Sequence, residues 1–293
     1  MPTPMHNPSD TAPGTADTAA LIADIARRNS GLQQPAIPTD QRQTEPAVRQ
    51  RWQRWLRFGG GYNWRTLRRR MRAEGLRPSA VYQPRELAVL PAWCATLERL
   101  MCQAKALGNT PSMLAEALPP QATHLPFATL LAPSLLVARE RLAAKALQLT
   151  PEQLAPDALH GMERALLTRL AEVAGGCLLA LFAPRSKVNA MMLSLLGGAN
   201  ALAPTGQYQA FVQDQLNDGY TELFQRWPVL ARLLASIVDD WADSCHEFLS
   251  RLATDHAGLR QRFFPGLPAA AVAAIDATLS DPHAGGRTVV KLS

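Results

Sequence analysis

The chain has 293 residues, 47% of them hydrophobic, 18% charged and 6% aromatic, with a net charge of +6 and a pI near 9.5. That apolar share is enough for a sizeable core in one or two domains and excludes a chain disordered throughout. The four cysteines form no CxxC pair, which argues against a zinc site.

Ala, Leu, Arg and Gln outnumber strand formers, so the expected fold is mainly α. Residues 1–47 read as linker around a short helix. Met1 to Thr15 is rich in Pro and Thr and poor in apolar residues. Thr18–Arg28 predicts a helix with Leu21, Ile22 and Ile25 on one side. Residues 48–278 are expected to form a helical region. Gln50–Phe58 and Trp64–Glu74 read as helices separated by Gly59-Gly60-Gly61, with Gly75 as a C-terminal cap.

Net positive charge concentrates there. Arg49, Arg51, Arg54, Arg57, Arg65, Arg68, Arg69, Arg70 and Arg72 face a single acid, Glu45, with Trp52, Trp55 and Trp64 interleaved. Three readings fit. The arginines are the solvated face of an amphipathic helix whose tryptophans are buried. Alternatively Arg49, Arg54, Arg57, Arg68, Arg69 and Arg72 hold an acidic peptide. The weakest reading is nucleic acid.

Further on, Trp93, Leu97, Leu100 and Met101 recur at helical spacing up to Leu107. Pro133 is expected to start a helix within Phe127–Leu147 that turns Leu135, Leu136 and Leu142 inward. Thr150-Pro-Glu-Gln153 fits a capping box. Leu159–Phe182 reads as a long helix broken or bent around Gly175-Gly176, followed by a separate apolar piece, Met191–Leu196. The most apolar window, Val173–Pro184, is shorter than the roughly 20 residues a membrane span needs. No secretory pattern opens the chain, so a cytoplasmic location without a membrane span is expected. Cys94, Cys102, Cys177 and Cys245 are all expected to pack as small hydrophobes.

Phe211–Phe224 predicts one helix. Pro228 starts the strongest one, carrying Leu230, Leu233, Leu234, Ile237, Val238, Trp241, Cys245, Phe248, Leu249 and Leu252 at threes and fours. Glu247 and Arg251 form a favourable i, i+4 pair on its polar side. Asp239, Asp243 and His246 share that side; a solvated face is favoured and no metal site is assigned. Pro265-Gly266 turns the chain, and Ala269–Leu279 reads as a last helix.

The final stretch, residues 279–293, runs Leu-Ser-Asp-Pro-His-Ala-Gly-Gly-Arg-Thr-Val-Val-Lys-Leu-Ser. Asp281-Pro with Gly285-Gly286 is an ordinary loop signal. The same loop has the parts of an oxyanion site: glycines that admit close backbone approach, the His283 imidazole and the Arg287 guanidinium. Thr288-Val-Val favours a strand, expected to be left as an unpaired edge.

Phe224-Gln-Arg-Trp-Pro-Val-Leu-Ala-Arg232, Trp241, Glu247, Arg251, Asp255 and Ser280-Asp-Pro-His-Ala-Gly-Gly-Arg-Thr-Val289 together resemble the N-terminal dehydratase region of class II lanthipeptide synthetases. Trp55–Leu76, Pro91-Ala-Trp93, Phe127–Pro133 and Gly206-Gln-Tyr208-Gln-Ala-Phe211 fall in the corresponding order, so the resemblance covers roughly Val48–Ser293 and is specific after Tyr208.

The resemblance implies a multi-helix N-terminal region of a lipid-kinase-like dehydratase. With ATP and Mg²⁺, such an enzyme phosphorylates Ser or Thr in a precursor peptide and then eliminates phosphate. It implies elimination roles for Asp281 and His283, and a phosphate or nucleotide loop at Gly285, Gly286 and Arg287. The ATP lysine and the kinase-type Asp/His/Asn set are not among these 293 residues, so residues 279–293 are expected to be the start of an incomplete nucleotide-binding lobe and the chain alone to be inactive. No cofactor is expected for this chain alone. The implied partners are a precursor leader peptide and a downstream dehydratase/cyclase half. The alternative reading is a non-catalytic module that binds the leader or a partner protein.

Overall fold

A computed structural model of the chain describes residues 13–29, 69, 87, 89–145, 149–150, 152–196, 204–263, 265–266, 271–277 and 287–293. These fall into two compact units, residues 1–25 with 92–293, and residues 26–91. In the second unit Arg69 is helical and exposed. Arg49, Arg54, Arg57, Arg68 and Arg72, and the rest of the helices expected at 50–58 and 64–74, lie outside the described residues.

Among the described residues 77% are helical, in eight helices, with one short two-stranded antiparallel sheet near the C-terminus. Helix α1 (Pro13–Asn29) starts earlier than the expected Thr18 and buries Ile22 and Ile25. The rest of the first unit is α2 (Trp93–Asn109), α3 (Ser112–Ala117), α4 (Ala128–Ala143), α5 (His160–Leu196), α6 (Pro204–Asn217), α7 (Thr221–Arg226), α8 (Pro228–Phe263), β1 (Ile275–Asp276) and β2 (Lys291–Leu292). Helix α8 is the axis of the bundle. It packs against α2, α4, α5 and α7, burying Leu230, Leu234, Ile237, Val238, Trp241, Cys245, Leu249 and Leu252. The stripe read from the sequence is the stripe that is buried, except that Leu233 stays 38% exposed and Phe248 is half-buried.

Two charged residues sit on otherwise apolar stripes and meet between helices. Glu163 shares a face of α5 with Leu166, Leu167 and Leu170; Arg139 shares one of α4 with Leu135 and Leu142. Arg139 donates through Nε and Nη2 to the two Glu163 carboxylate oxygens at 2.6 and 2.7 Å, and through Nη1 to the Ala117 carbonyl at 2.8 Å. The fork satisfies the buried carboxylate on both oxygens and ties α3, α4 and α5 together. One residue away, Trp241 of α8 donates its indole N–H to the Met162 carbonyl at 3.1 Å. Burial, reinforced by the Glu163 charge, pushes the Cys245 thiol well up, so this cysteine is inert. Burial likewise raises Cys94 to about 11. Cys102 is exposed, contrary to the expectation for all four cysteines.

Several local expectations are corrected. Pro133 lies inside α4 rather than at its start, because Phe127, in the left-handed region at φ 58°, begins the helix first. A proline there removes the N–H that would bond to the Thr129 carbonyl. The buried Tyr220 hydroxyl donates to the adjacent Leu130 carbonyl. Leu135 and Leu142 are buried, whereas Leu136 is only half-buried. Thr150–Gln153 closes a turn, with the Thr150 N–H donating to Gln153 Oε1 at 3.1 Å, but the following helix begins only at His160.

Gly175-Gly176 does not interrupt α5, which runs unbroken through Met191–Leu196. Two glycines weaken a helix by about 2 kcal/mol in total, too little to break one whose inner face buries Leu166, Leu167, Leu170, Ala174 and Leu178. The segment expected as one helix, Phe211–Phe224, is two. Gly219 and Tyr220, both at φ 62°, separate α6 from α7. Pro156–Arg185 is also long and apolar enough, by length and composition, to cross a membrane, with mean hydropathy 1.7. The length of Val173–Pro184 therefore does not argue against a span; its buried leucines account for its apolar inner face.

The polar side of α8 is not simply solvated. Thr96 Oγ1 donates to Asp239 Oδ1 at 2.7 Å, Arg141 Nε lies 2.8 Å from the same carboxylate, and Lys145 Nζ lies 3.0 Å from Asp243. Burial pushes the Asp239 carboxyl up, against the downward pull of Thr96 and Arg141. A carboxyl raised by burial contributes stability below its unfolded value, near 3.9, and loses it as pH rises through the folded value.

Three stability outcomes follow from these contacts. Glu163→Gln removes the charge from the buried fork and is expected to lose about 3 kcal/mol in urea melts. Asp239→Asn is expected to stay within about 0.5 kcal/mol of the natural chain at pH 7; relative to it, the natural chain loses stability as pH rises from about 4. Gly176 has open space where a Cβ would go, so Gly176→Ala is expected to gain about 0.5–1 kcal/mol. A loss for Gly176→Ala would mean that the position is occupied in solution.

Candidate functional site

The C-terminal segment docks on the start of α5. Leu154 bridges Val272 in parallel, with Ala155 N–H to the Val272 carbonyl and Val272 N–H to the Gln153 carbonyl, both at 3.0 Å. Ile275 then lies directly on the helix backbone at Gly161, where a Cβ would meet the Ile275 carbonyl oxygen at 1.8 Å. Only glycine admits that approach. Residues 271–277 are consequently extended, not the last helix expected over Ala269–Leu279. The alanines favour helix weakly. Pairing on both sides of the segment, and burial of Ile275, override that preference.

The terminal strand forms at Lys291–Leu292 rather than at the expected Thr288–Val290, and it is not an unpaired edge either. Ile275 pairs with Leu292 and Asp276 with Lys291, antiparallel. Ser293 exchanges backbone bonds with Ala273 and Ala274 at 2.7–3.1 Å. The candidate loop therefore joins two paired strands. Asp281, His283, Gly285 and Gly286 lie outside the described residues. Both ends of the connection are described. One is Asp276, held opposite Lys291. The other is Arg287, held to α8.

Arg287 donates through Nε at 3.1 Å and Nη2 at 2.7 Å to Glu247 Oε2, while Arg251 Nη2 lies 2.5 Å from Glu247 Oε1. The Arg287 hydrogen bond holds the Glu247 carboxyl below the usual carboxylate range, and the Arg251 and Arg287 charges add to this. The i, i+4 partner of Glu247 was legible in the sequence; the partner forty residues on was not. Gly161 was also missed, and a glycine in the first turn of a helix was its only signal.

No group of three or more His, Cys, Asp or Glu side chains is placed to hold a metal among the described residues. Asp239 and Asp243, two of the three acidic-face candidates, are taken by Arg141 and Lys145. A cavity of about 10 Å³ inside the bundle, lined by Leu100, Leu130, Leu178, Tyr220 and Phe224 among others, has room for about one water.

A family model described as "Domain of unknown function (DUF4135)" matches residues 227–293. That span holds α8, both strands, the candidate loop and the Arg251–Glu247–Arg287 cluster. No curated protein matches the chain.

Above the ordinary glutamate value near 4.3, Glu247 is ionised and the tie to Arg287 is complete; it is lost as pH falls through the depressed folded value. Carboxyl-carbon NMR is expected to show Glu247 titrating below that ordinary value, and Arg287→Ala to move it up. An unmoved titration would show that the pair does not persist in solution.

Proposed function

We propose that this chain is the N-terminal portion of a lanthipeptide-type dehydratase. Such an enzyme phosphorylates Ser or Thr of a precursor peptide from ATP and then eliminates phosphate to leave a dehydroamino acid. The observation that carries the reading is the family match over residues 227–293. That family is typical of lanthionine synthetase-like proteins, and the matched span contains both the Pro228-Val-Leu-Ala-Arg232 run and the Asp281-Pro-His-Ala-Gly-Gly-Arg287 loop.

In this reading the helical bundle is a platform and the β1–β2 connection is the loop that meets phosphate. His283 takes the α-proton or protonates the departing oxygen, a role that suits a group titrating near neutrality. Asp281 orients it, and Arg287 stabilises charge developing on the leaving phosphate. Among the described residues no three His, Cys, Asp or Glu side chains come together, and no step through ATP or Mg²⁺ is assigned to these residues. A downstream half supplied in cis or in trans would bring the ATP-binding groups, and the reaction would take place in the cytoplasm.

The second reading, a non-catalytic module for an acidic leader peptide, rests on the arginines between Arg49 and Arg72, of which Arg69 is exposed.

The test is co-expression of the chain with a downstream dehydratase half and a precursor peptide, followed by mass spectrometry. Restored loss of water from the peptide is expected. His283→Ala is expected to accumulate phosphorylated peptide. Normal turnover by that variant would remove the role of His283. No dehydration with any half, together with leader binding that weakens when Arg69 and its neighbours become Glu, would favour the binding module.

A further inference from the structure

Arg287 is the one proposed phosphate-handling residue that the structure describes, and a carboxylate already occupies it. Its Nε and Nη2 both bond to Glu247 Oε2, so one edge of the guanidinium is committed to α8. An incoming oxyanion that uses this edge must displace the carboxylate. The pair is weak enough to be displaced, with the Arg287 side chain 58% and the Glu247 side chain 33% exposed, and exposed pairs contribute little to stability.

Glu247 also has a second counter-ion. Arg251, one turn on, holds Oε1 at 2.5 Å, so Glu247 keeps a positive partner after Arg287 leaves. A phosphate in this position also gains more from a guanidinium than a carboxylate does, because it carries more charge and more acceptor oxygens.

We infer that Glu247 is an internal competitor for phosphate at Arg287: it occupies the guanidinium while the site is empty and passes to Arg251 when a phosphate binds. The inference rests on the phosphate-handling reading of Arg287 and adds the regulation of that group. It makes the Arg251–Glu247–Arg287 trio a two-position exchange rather than a fixed structural tie. The ligand chemistry it selects is a dianionic phosphoryl group, since a monoanion gains little by replacing one carboxylate with itself.

The test uses the full chain and inorganic pyrophosphate, titrated by ³¹P NMR or calorimetry at low salt and neutral pH. Removing a unit negative charge a few ångströms from the bound anion is expected to tighten binding about five-fold in Glu247→Gln. Arg287→Ala is expected to abolish it. Asp255→Asn, a similar charge change two turns further along α8, is expected to alter it less than two-fold and so reports the long-range effect of charge alone. Equal or weaker binding by Glu247→Gln, with Arg287→Ala still abolishing it, would overturn the competition and leave the phosphate role of Arg287 standing. Binding that is unaffected by Arg287→Ala, or absent in every variant, would overturn the phosphate role itself. Circular dichroism melts of each variant separate these outcomes from loss of the fold.

Discussion

The fork between Arg139 and Glu163 is the contact on which the arrangement of the bundle depends. A carboxylate with a side chain only 7% exposed cannot remain ionised among leucines unless both oxygens are bonded. The guanidinium that bonds them comes from another helix and also reaches the Ala117 carbonyl. Three elements are thereby fixed in rotation as well as in distance. Leucine packing tolerates small slips between helices, whereas a two-point charged hydrogen bond does not. The Trp241 indole bond to Met162, next in sequence to Glu163, adds the fourth helix to the same point. Gly161, one residue further back, is where the C-terminal ribbon lands. Core and candidate site are thus referenced to one short stretch, Gly161–Glu163.

Much of the bundle was legible because burial is periodic. Leu230, Leu234, Ile237, Val238, Trp241, Cys245, Leu249 and Leu252 on α8, and Leu97, Leu100, Met101 and Leu107 on α2, are buried where their spacing puts them; Trp93, Leu233 and Phe248 are only partly covered. The failures share a cause. Pro133, Gly175 and Gly176 were read as local punctuation, yet helix starts and stops were decided elsewhere, by Phe127 at positive φ and by the inner face of α5. Glu163 and Arg139 carried a signal that went unread: a charge on an apolar stripe in each of two helices is what a buried pair looks like in one dimension. The ribbon was illegible for a different reason. The helix preference of Ala269–Leu279 is local, and the pairing that overrides it comes from residues 154, 161 and 292.

The candidate site divides in the same way. Its motif, Asp281 to Arg287, was visible as a loop with turn residues and a cation. Its setting was not. Two short strands bracket the loop, one lying on a glycine of α5 and the other entered from Arg287, which is tied to a carboxylate of α8. The Glu247–Arg251 pair was visible as an i, i+4 spacing; that the same carboxylate also serves Arg287 depends on how the chain returns after Phe263. Contacts of this kind are set by tertiary approach, and no window of sequence contains both partners.

The return of the ribbon has a consequence for the order of assembly. The helices from α2 to α8 form a connected core that already joins distant parts of the chain, with α8 packed on α2 and α4; Val272 must in addition find Leu154, and Ile275 the backbone at Gly161. Distant contacts of both kinds form slowly relative to the single helices. In synthesis the helices up to Phe263 are made before Lys291, so the surfaces at Gly161 and Glu247 are complete in sequence before the residues that cover them. The guanidinium at position 287 arrives on a finished surface. The contacts at Gly161 and Glu247 are thus made on surfaces that the bundle already presents, and they are also what a local opening would give up first.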